Sequence, residues 1–132
     1  MTRARWAFTV VATLLSVACS DESTNPGAVP GTLVVSLTTP RVDDGALLFE
    51  LSGPPIDSAT AINSSLRLFT RRESGSTVIG AIVGVLASGA VVTLHVPDVG
   101  HAAGYTATVL EVADRQDALR ASRTGYALSV TQ

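Results

Sequence analysis

Apolar residues alternate with other residues at a period of two along most of this chain, and this alternation constrains its fold more than any other feature. It begins at Leu33, Val35 and Leu37. The same spacing recurs at Leu47/Phe49/Leu51, Leu66/Leu68/Thr70, Val92/Leu94/Val96 and Tyr126/Leu128/Val130. Because successive side chains of a strand point to opposite faces, the pattern indicates antiparallel sheets with one dry face each. Counting residues 78–86 and 105–112, the sequence predicts an all-β antiparallel sandwich of about seven strands.

The first 18 residues carry the pattern of an export signal. Arg3 and Arg5 precede an apolar run over residues 6–15, and small residues precede Cys19. The apolar run is shorter than the ~20 residues that span a bilayer. A positive start, a short apolar segment and a small-residue cleavage site are typical of secretory signals. We therefore expect residues 1–18 to be removed on export.

The segment Leu15-Ser16-Val17-Ala18-Cys19 resembles the signal box of bacterial lipoproteins. The leucine lies one position further from the cysteine than in the strict form of that box. The resemblance implies lipid attachment at Cys19, anchoring to the extracytoplasmic side of a membrane, and sorting to the outer membrane where the host has one. Ordinary signal cleavage, which would release a soluble secreted module, is the alternative interpretation. A lone thiol at a new N-terminus favours lipidation, because it would otherwise form stray disulfides.

Composition sets the size of the domain and limits its partners. Residues 19–132 hold seven of the nine arginines and all eleven acidic residues, and the chain has no lysine. This acidic balance disfavours nucleic acid, which requires a basic footprint. Residues 19–31, rich in proline, glycine and polar residues, are predicted to be the lipid-attachment cysteine and a flexible tether. One domain over residues 32–132 follows.

A tyrosine near the end of the chain adds a fold-level resemblance. Tyr105 follows a strand end and a short loop, and Ala107 lies two residues further on. This arrangement resembles the tyrosine corner of immunoglobulin-like and fibronectin-type-III-like sandwiches. The resemblance implies that the Tyr105 ring packs inward and that its hydroxyl bonds upstream backbone. The tryptophan usual in the antibody core is absent, since the only tryptophan is Trp6.

Residues 78–94 are uncharged and mostly apolar, which leaves two interpretations. The spacing Gly80-x-x-x-Gly84 could belong to a dimerising membrane helix. Ala87-Ser88-Gly89 and the many β-branched residues instead favour two strands joined by a turn. On the second interpretation, which we prefer, residues 78–86 form a central strand.

Three groups of side chains are candidates for ligand binding. His95, Asp98 and His101 could bind zinc, although their positions on an outward strand face and in a turn favour an ordinary surface role. Asp43 with Asp44, or Glu111 with Asp114 and Asp117, could bind calcium, yet acids are also common in turns. The third group is a possible partner-binding patch formed by Arg67, Phe69, Arg71 and Arg72, which could equally protect an edge strand from aggregation.

Catalysis finds little support in the sequence. The chain has no Gly-x-Ser-x-Gly elbow, no phosphate-binding glycine loop and no His-Glu-x-x-His. We expect a non-enzymatic, lipid-anchored envelope module with no cofactor, held at the membrane through Cys19 and able to contact another envelope protein. An extracytoplasmic ligand- or metal-binding domain is the alternative.

Overall fold

The computed structural model describes residues 27–132, so the predicted export signal and the predicted lipid-attachment residue Cys19 lie outside the described residues. The described chain contains eight strands and one short 3-10 helix, Val99–Gly104. The strands are β1 Gly31–Thr38, β2 Asp44–Ser52, β3 Ser58–Ala61, β4 Arg67–Arg72, β5 Thr77–Val83, β6 Gly89–Val96, β7 Thr106–Asp114 and β8 Ala127–Thr131. The all-β prediction is therefore confirmed, with eight strands instead of seven.

The strands form two antiparallel four-stranded sheets. The first sheet has the order β3-β6-β1-β8 and the second has the order β4-β5-β2-β7. The first and last strands are paired, with Val35 opposite Val130. Strands β1 and β2 are consecutive but lie in different sheets, so the chain crosses between the layers soon after it enters the domain.

The core lies between the two sheets and is built from the alternating apolar positions. Leu33, Leu47, Phe49, Ile82 and Leu94 are almost completely buried. The predicted inward positions of β1, β2 and β6 are confirmed. The strand predicted over residues 78–86 is observed as the shorter β5, which ends at Val83; it lies between β4 and β2 and is central, as expected.

Strand β3 is the element that the alternation did not predict. Its sequence, Ser-Ala-Thr-Ala, contains no large apolar residue, so it shows no hydrophobic period. It pairs along β6, with Ala59 opposite Leu94, and it forms one edge of the first sheet. Its strand state is therefore stabilised mainly by backbone pairing with a neighbour, with a small contribution from Ala59 and Ala61, which pack against the core.

The interpretation of residues 78–94 as a membrane helix is wrong, because these residues form β5, β6 and the connection between them. Gly80 has a packing role instead: a Cβ atom built at this position would collide with the Phe49 ring. Glycine is thus required where a large ring lies flat on the neighbouring strand. No helix within residues 27–132 combines the length and hydropathy needed to cross a bilayer.

The two ends of the sandwich can be told apart by the strands that begin there. At one end β1 begins at Gly31, opposite Val96. We call this the tether end, because the N-terminal segment reaches the domain there. Hydrogen bonds hold the last part of this N-terminal segment against the domain. The Val29 amide donates to Asp98 Oδ1 at 3.2 Å, and the Val29 carbonyl accepts from the Val99 amide at 2.9 Å. Of the predicted tether, residues 19–31, the structure describes residues 27–31, and Val29 among them is hydrogen-bonded to the loop at Asp98 and Val99. The opposite end, where β2 begins at Asp44, we call the far end.

Candidate functional site

The outward face of the second sheet carries a group of apolar residues that strand pairing places side by side. Because Val78, Gly80 and Ile82 are buried on β5, the alternate residues of that strand face outward. Pairing places Phe69 beside Ala81 and Ala81 beside Leu48 in one row across three strands. The apolar residues of this surface, which we call the outer face, are Ala46, Leu48, Phe69, Ile79, Ala81, Val83, Ala113 and Leu119.

Several members of the outer face are more exposed than large apolar residues usually are. Phe69 is 60% exposed, Val83 44% and Leu119 67%. Leu119 comes from the loop after β7 and pairs with Ala113 through an isolated bridge. Leu48, Ala81 and Leu119 line a shallow depression there. Contiguous exposed apolar patches of this kind mark interaction surfaces in soluble domains.

Opposite charges lie on the two sides of the outer face. Arg67 and Arg71 are on β4, the edge strand, on the same strand face as Phe69. Glu50 lies on β2, and Glu111 lies on β7 at the other edge. Three strand spacings separate Arg67 from Glu111, about 14 Å, which is too far for a salt bridge within one molecule. The face therefore carries two arginines on either side of Phe69 along the β4 edge, mainly apolar residues with Glu50 on the inner strands, and Glu111 at the β7 edge.

The structure changes the membership of the predicted arginine patch. Strand alternation puts Arg67, Phe69 and Arg71 on the outer face, as expected, but places Arg72 on the opposite face. The Arg72 guanidinium donates to the Ile56 carbonyl at 2.7 Å, in the connection between β2 and β3. Arg71 forms an exposed ion pair with Glu73. Arg72 thus braces a loop and does not belong to the outer face.

A buried ionic cluster closes the far end of the sandwich. Asp44 is fully buried, and its Oδ1 accepts from Arg120 Nε at 3.0 Å, Arg120 Nη2 at 2.9 Å and the Tyr126 hydroxyl at 3.0 Å. Its Oδ2 accepts from the Thr39 hydroxyl at 2.6 Å. Arg120 also contacts Asp43 at 2.6 Å. Among the described residues, no buried side-chain nitrogen or oxygen lacks a hydrogen-bond partner, so the cluster is fully satisfied internally.

The hydrogen bonds of this cluster set the protonation states of its members. Burial by itself would raise the pKa of Asp44, but the bonds from Thr39, Arg120 and Tyr126 outweigh it and hold that pKa below the ordinary value. The bonds to Asp44 and Asp43 raise the pKa of Arg120 despite its partial burial. Burial, and then the adjacent Asp44 carboxylate, raise the pKa of the Tyr126 hydroxyl. Asp44 and Arg120 are therefore charged at neutral pH while the Tyr126 hydroxyl is neutral, and the cluster acts as a lock between loops.

We expect the free energy of unfolding to fall in acid, and Asp44 to contribute to that fall. A carboxyl whose pKa is lower in the folded state stabilises the fold above its unfolded value, which is near 3.8 for Asp44. This contribution is lost as the pH drops through the lower folded-state pKa. Urea unfolding at a series of pH values from 7 to 2 should show a shallower decline for Asp44→Asn than for the natural chain. Parallel declines would contradict this role.

The structure brings together only part of the zinc candidate His95, Asp98 and His101. His101 Nδ1 lies 3.2 Å from Asp98 Oδ2. Asp98 Oδ1 caps the 3-10 helix by accepting from the Gly100 amide at 2.9 Å. Backbone hydrogen bonds from Gly100 and Val29 lower the pKa of Asp98. His95 lies outward on β6, opposite Thr32 and Ser58. Across residues 27–132, no three His, Cys, Asp or Glu side chains are close enough to hold a metal ion.

The absence of a metal-binding group within residues 27–132 also applies to the calcium candidates. Asp43 and Asp44 are occupied by the Arg120 guanidinium, which supplies the positive charge that a cation would. Asp114 Oδ1 accepts from the amides of Gln116 and Ala118 and shapes the turn after β7. Asp117 has a φ of 65°, a conformation that aspartate tolerates in turns. These acids therefore act as turn and lock residues.

Tyr105 behaves partly as the corner resemblance implies. Its ring is buried at 6% exposure, and its hydroxyl donates to the Pro55 carbonyl at 2.8 Å. Burial raises the pKa of this hydroxyl, with a further contribution from Asp57 and Asp98. The acceptor lies in the connection between β2 and β3, fifty residues upstream. Tyr105 thus joins two loops at the tether end, whereas the usual corner bonds backbone a few residues away.

Comparisons with known proteins give no match, so a function has to be inferred from the geometry described above. A scan against protein-family models found no match, and searches of curated proteins and of solved structures found none either.

Proposed function

We propose that this protein is a non-catalytic interaction module, exported and anchored to a membrane by a lipid on Cys19, whose binding surface is the outer face. The observation that carries the proposal is the apolar surface that runs from Phe69 across β5 and β2, with Arg67 and Arg71 flanking Phe69 on β4 and Glu111 on β7. Apolar centres with charged margins are typical of protein interfaces. Phe69 supplies the kind of aromatic anchor that dominates binding energy in such surfaces.

Contacts elsewhere in the described domain make it a rigid scaffold for that surface. Arg120 and Asp44 tie the far-end loops together, and Tyr105 ties the loops of the tether end. A fixed backbone reduces the ordering entropy that binding must overcome. The anchor itself follows from the resemblance of residues 15–19 to a lipoprotein signal box. We further propose that the sandwich is related to immunoglobulin-like domains, on the strength of the inward Tyr105 ring.

Photo-crosslinking in intact cells tests the binding surface. A photoreactive phenylalanine analogue placed at Phe69 should form a covalent adduct with whatever covers the outer face. The matched control is the same analogue at Val42, which is 86% exposed but lies in the far-end loop between β1 and β2. We expect several-fold more adduct from position 69 than from position 42. Equal yields, or none from either position, would contradict the proposal.

A further inference from the structure

The geometry points to a second copy of this chain as the occupant of the outer face, in a two-fold dimer whose axis runs parallel to the strands between β5 and β2. This inference rests on the proposed function, because it names the partner of the same surface. An axis in that direction lays β4 of one copy over β7 of the other copy, and β5 over β2. Each copy contributes the same patch, as an isologous interface requires.

Charge complementarity selects this axis. In each molecule Phe69 shares a row with Glu111, and Arg67 and Arg71 lie one row to either side on β4. The two-fold operation therefore brings Glu111 of one copy over Phe69 of the other, between its two arginines, and it does so twice. Among the described residues, Arg67, Glu50 and Glu111 have no ionic partner within 4.0 Å in their own chain. A perpendicular axis would instead place β4 on β4 and oppose arginine to arginine.

The position of the tether selects the same axis independently. Rotation about a line parallel to the strands preserves strand direction, so both copies of Gly31 lie at the same end of the dimer. Both tethers can then reach a single membrane surface. The perpendicular axis would send the two tethers to opposite ends. The arrangement favoured by charge is thus also the one that two anchored copies can form side by side.

The size of the face predicts a weak dimer that depends on anchoring. Four strands of about six residues cover on the order of 400 Å² in plan, about half of the ~800 Å² per partner in a standard interface. Affinity from such an area is low for molecules free in solution. Copies confined to one membrane meet at a higher effective concentration, which compensates for the small area. Self-association is therefore expected on the membrane before it is seen in dilute solution.

The test combines the Phe69 photo-crosslink with charge reversal in the full, membrane-bound chain. The natural charges should give an adduct of twice the chain mass. Arg67→Glu with Arg71→Glu should reduce it about tenfold, because like charges then face each other, and Glu50→Arg with Glu111→Arg should do the same. When the two double variants are co-expressed with different tags, every charge is again opposed by its opposite. The mixed adduct should return to the natural level.

Each outcome has a defined meaning, provided thermal melting shows that both double variants remain folded. Restoration in the mixed pair supports the dimer and its axis together. Failure of the mixed pair to restore the adduct overturns the dimer. An adduct between Phe69 and a different protein also overturns it, while leaving the outer face as the binding surface. Absence of any adduct overturns both the dimer and the proposed function.

Discussion

Replacement of Asp44 with alanine is expected to lower the free energy of unfolding by about 3–5 kcal/mol, the range for breaking a buried ion pair from one side. Asp44 is 0% exposed and the Arg120 side chain only 14% exposed, so the substitution leaves a guanidinium partly buried without its main partner. The Thr39 and Tyr126 hydroxyls lose their acceptors as well. Urea unfolding followed by far-ultraviolet circular dichroism measures the loss.

Three further variants separate charge from packing in this cluster. Asp44→Asn keeps an acceptor oxygen and should lose less stability than Asp44→Ala. Adding Arg120→Leu to Asp44→Ala should recover part of the loss, because no partly buried guanidinium remains without its main partner and the Asp43 carboxylate that loses Arg120 is about half exposed. The exposed acid Asp57 serves as the control, and Asp57→Ala should change stability by no more than about 0.5 kcal/mol. A loss of under about 1 kcal/mol for Asp44→Ala would contradict the role of Asp44 as the lock.

Replacement of Phe49 with alanine should be about as damaging, with an expected loss of about 3–5 kcal/mol. Phe49 is 1% exposed and lies in the centre of the core. Its ring occupies the space beside Gly80 on the neighbouring strand, so truncation leaves a cavity. Phe49→Leu keeps most of the apolar volume and should lose less. Denaturant unfolding of the two variants under one set of conditions gives the comparison.

The pairing of Phe49 with Gly80 adds a sharper test. Gly80→Ala alone should destabilise the domain by about 1–3 kcal/mol, because the new methyl group overlaps the ring. The same substitution in the Phe49→Ala background should cost much less, since the methyl group then partly fills the cavity. The two effects are therefore expected to be strongly non-additive. If the two losses of stability simply add, the Phe49 ring is not the reason that position 80 requires glycine.

Period two predicted the core because it depends only on local geometry. Leu33, Phe49 and Leu94 all lie where the alternation placed them. The pattern also identified Phe69 as an outward aromatic residue and β5 as a central strand. Strand pairing carries no comparable local signal. Two features of the fold depend on which neighbours the compact structure makes available. These are the pairing of β8 with β1 and the strand conformation of the four small residues of β3.

The buried cluster escaped prediction for a specific reason. Counted back in steps of two from Leu47, the inward positions of β2 should include Gly45 and exclude Asp44. The register with β7 shifts between Asp44 and Ala46, and this bulge turns Asp44 into the interior. Its partner Arg120 is 76 positions away in the sequence, in a loop with no periodicity. Neither a bulge nor so distant a pairing can be read from spacing alone.

The outer face was visible in the sequence only at one edge. The cluster of Arg67, Phe69, Arg71 and Arg72 suggested a partner-binding patch, of which Arg72 lies on the other strand face. Glu50 on the interior strand β2 and Glu111 on the edge strand β7 come from strands that are distant in sequence from β4. Strand pairing brings the two edges to either side of one apolar surface. The proposed binding mode thus depends on topology more than on any motif.

The intact mass of the N-terminal peptide, measured on protein taken from the membranes of an expressing bacterium, tests the central claim of an anchored module most directly. We predict a peptide that begins at Cys19 and carries the mass of a diacylglyceryl group, with or without a further acyl chain. An unmodified Cys19 at the start of a protein in the soluble fraction would contradict the anchor.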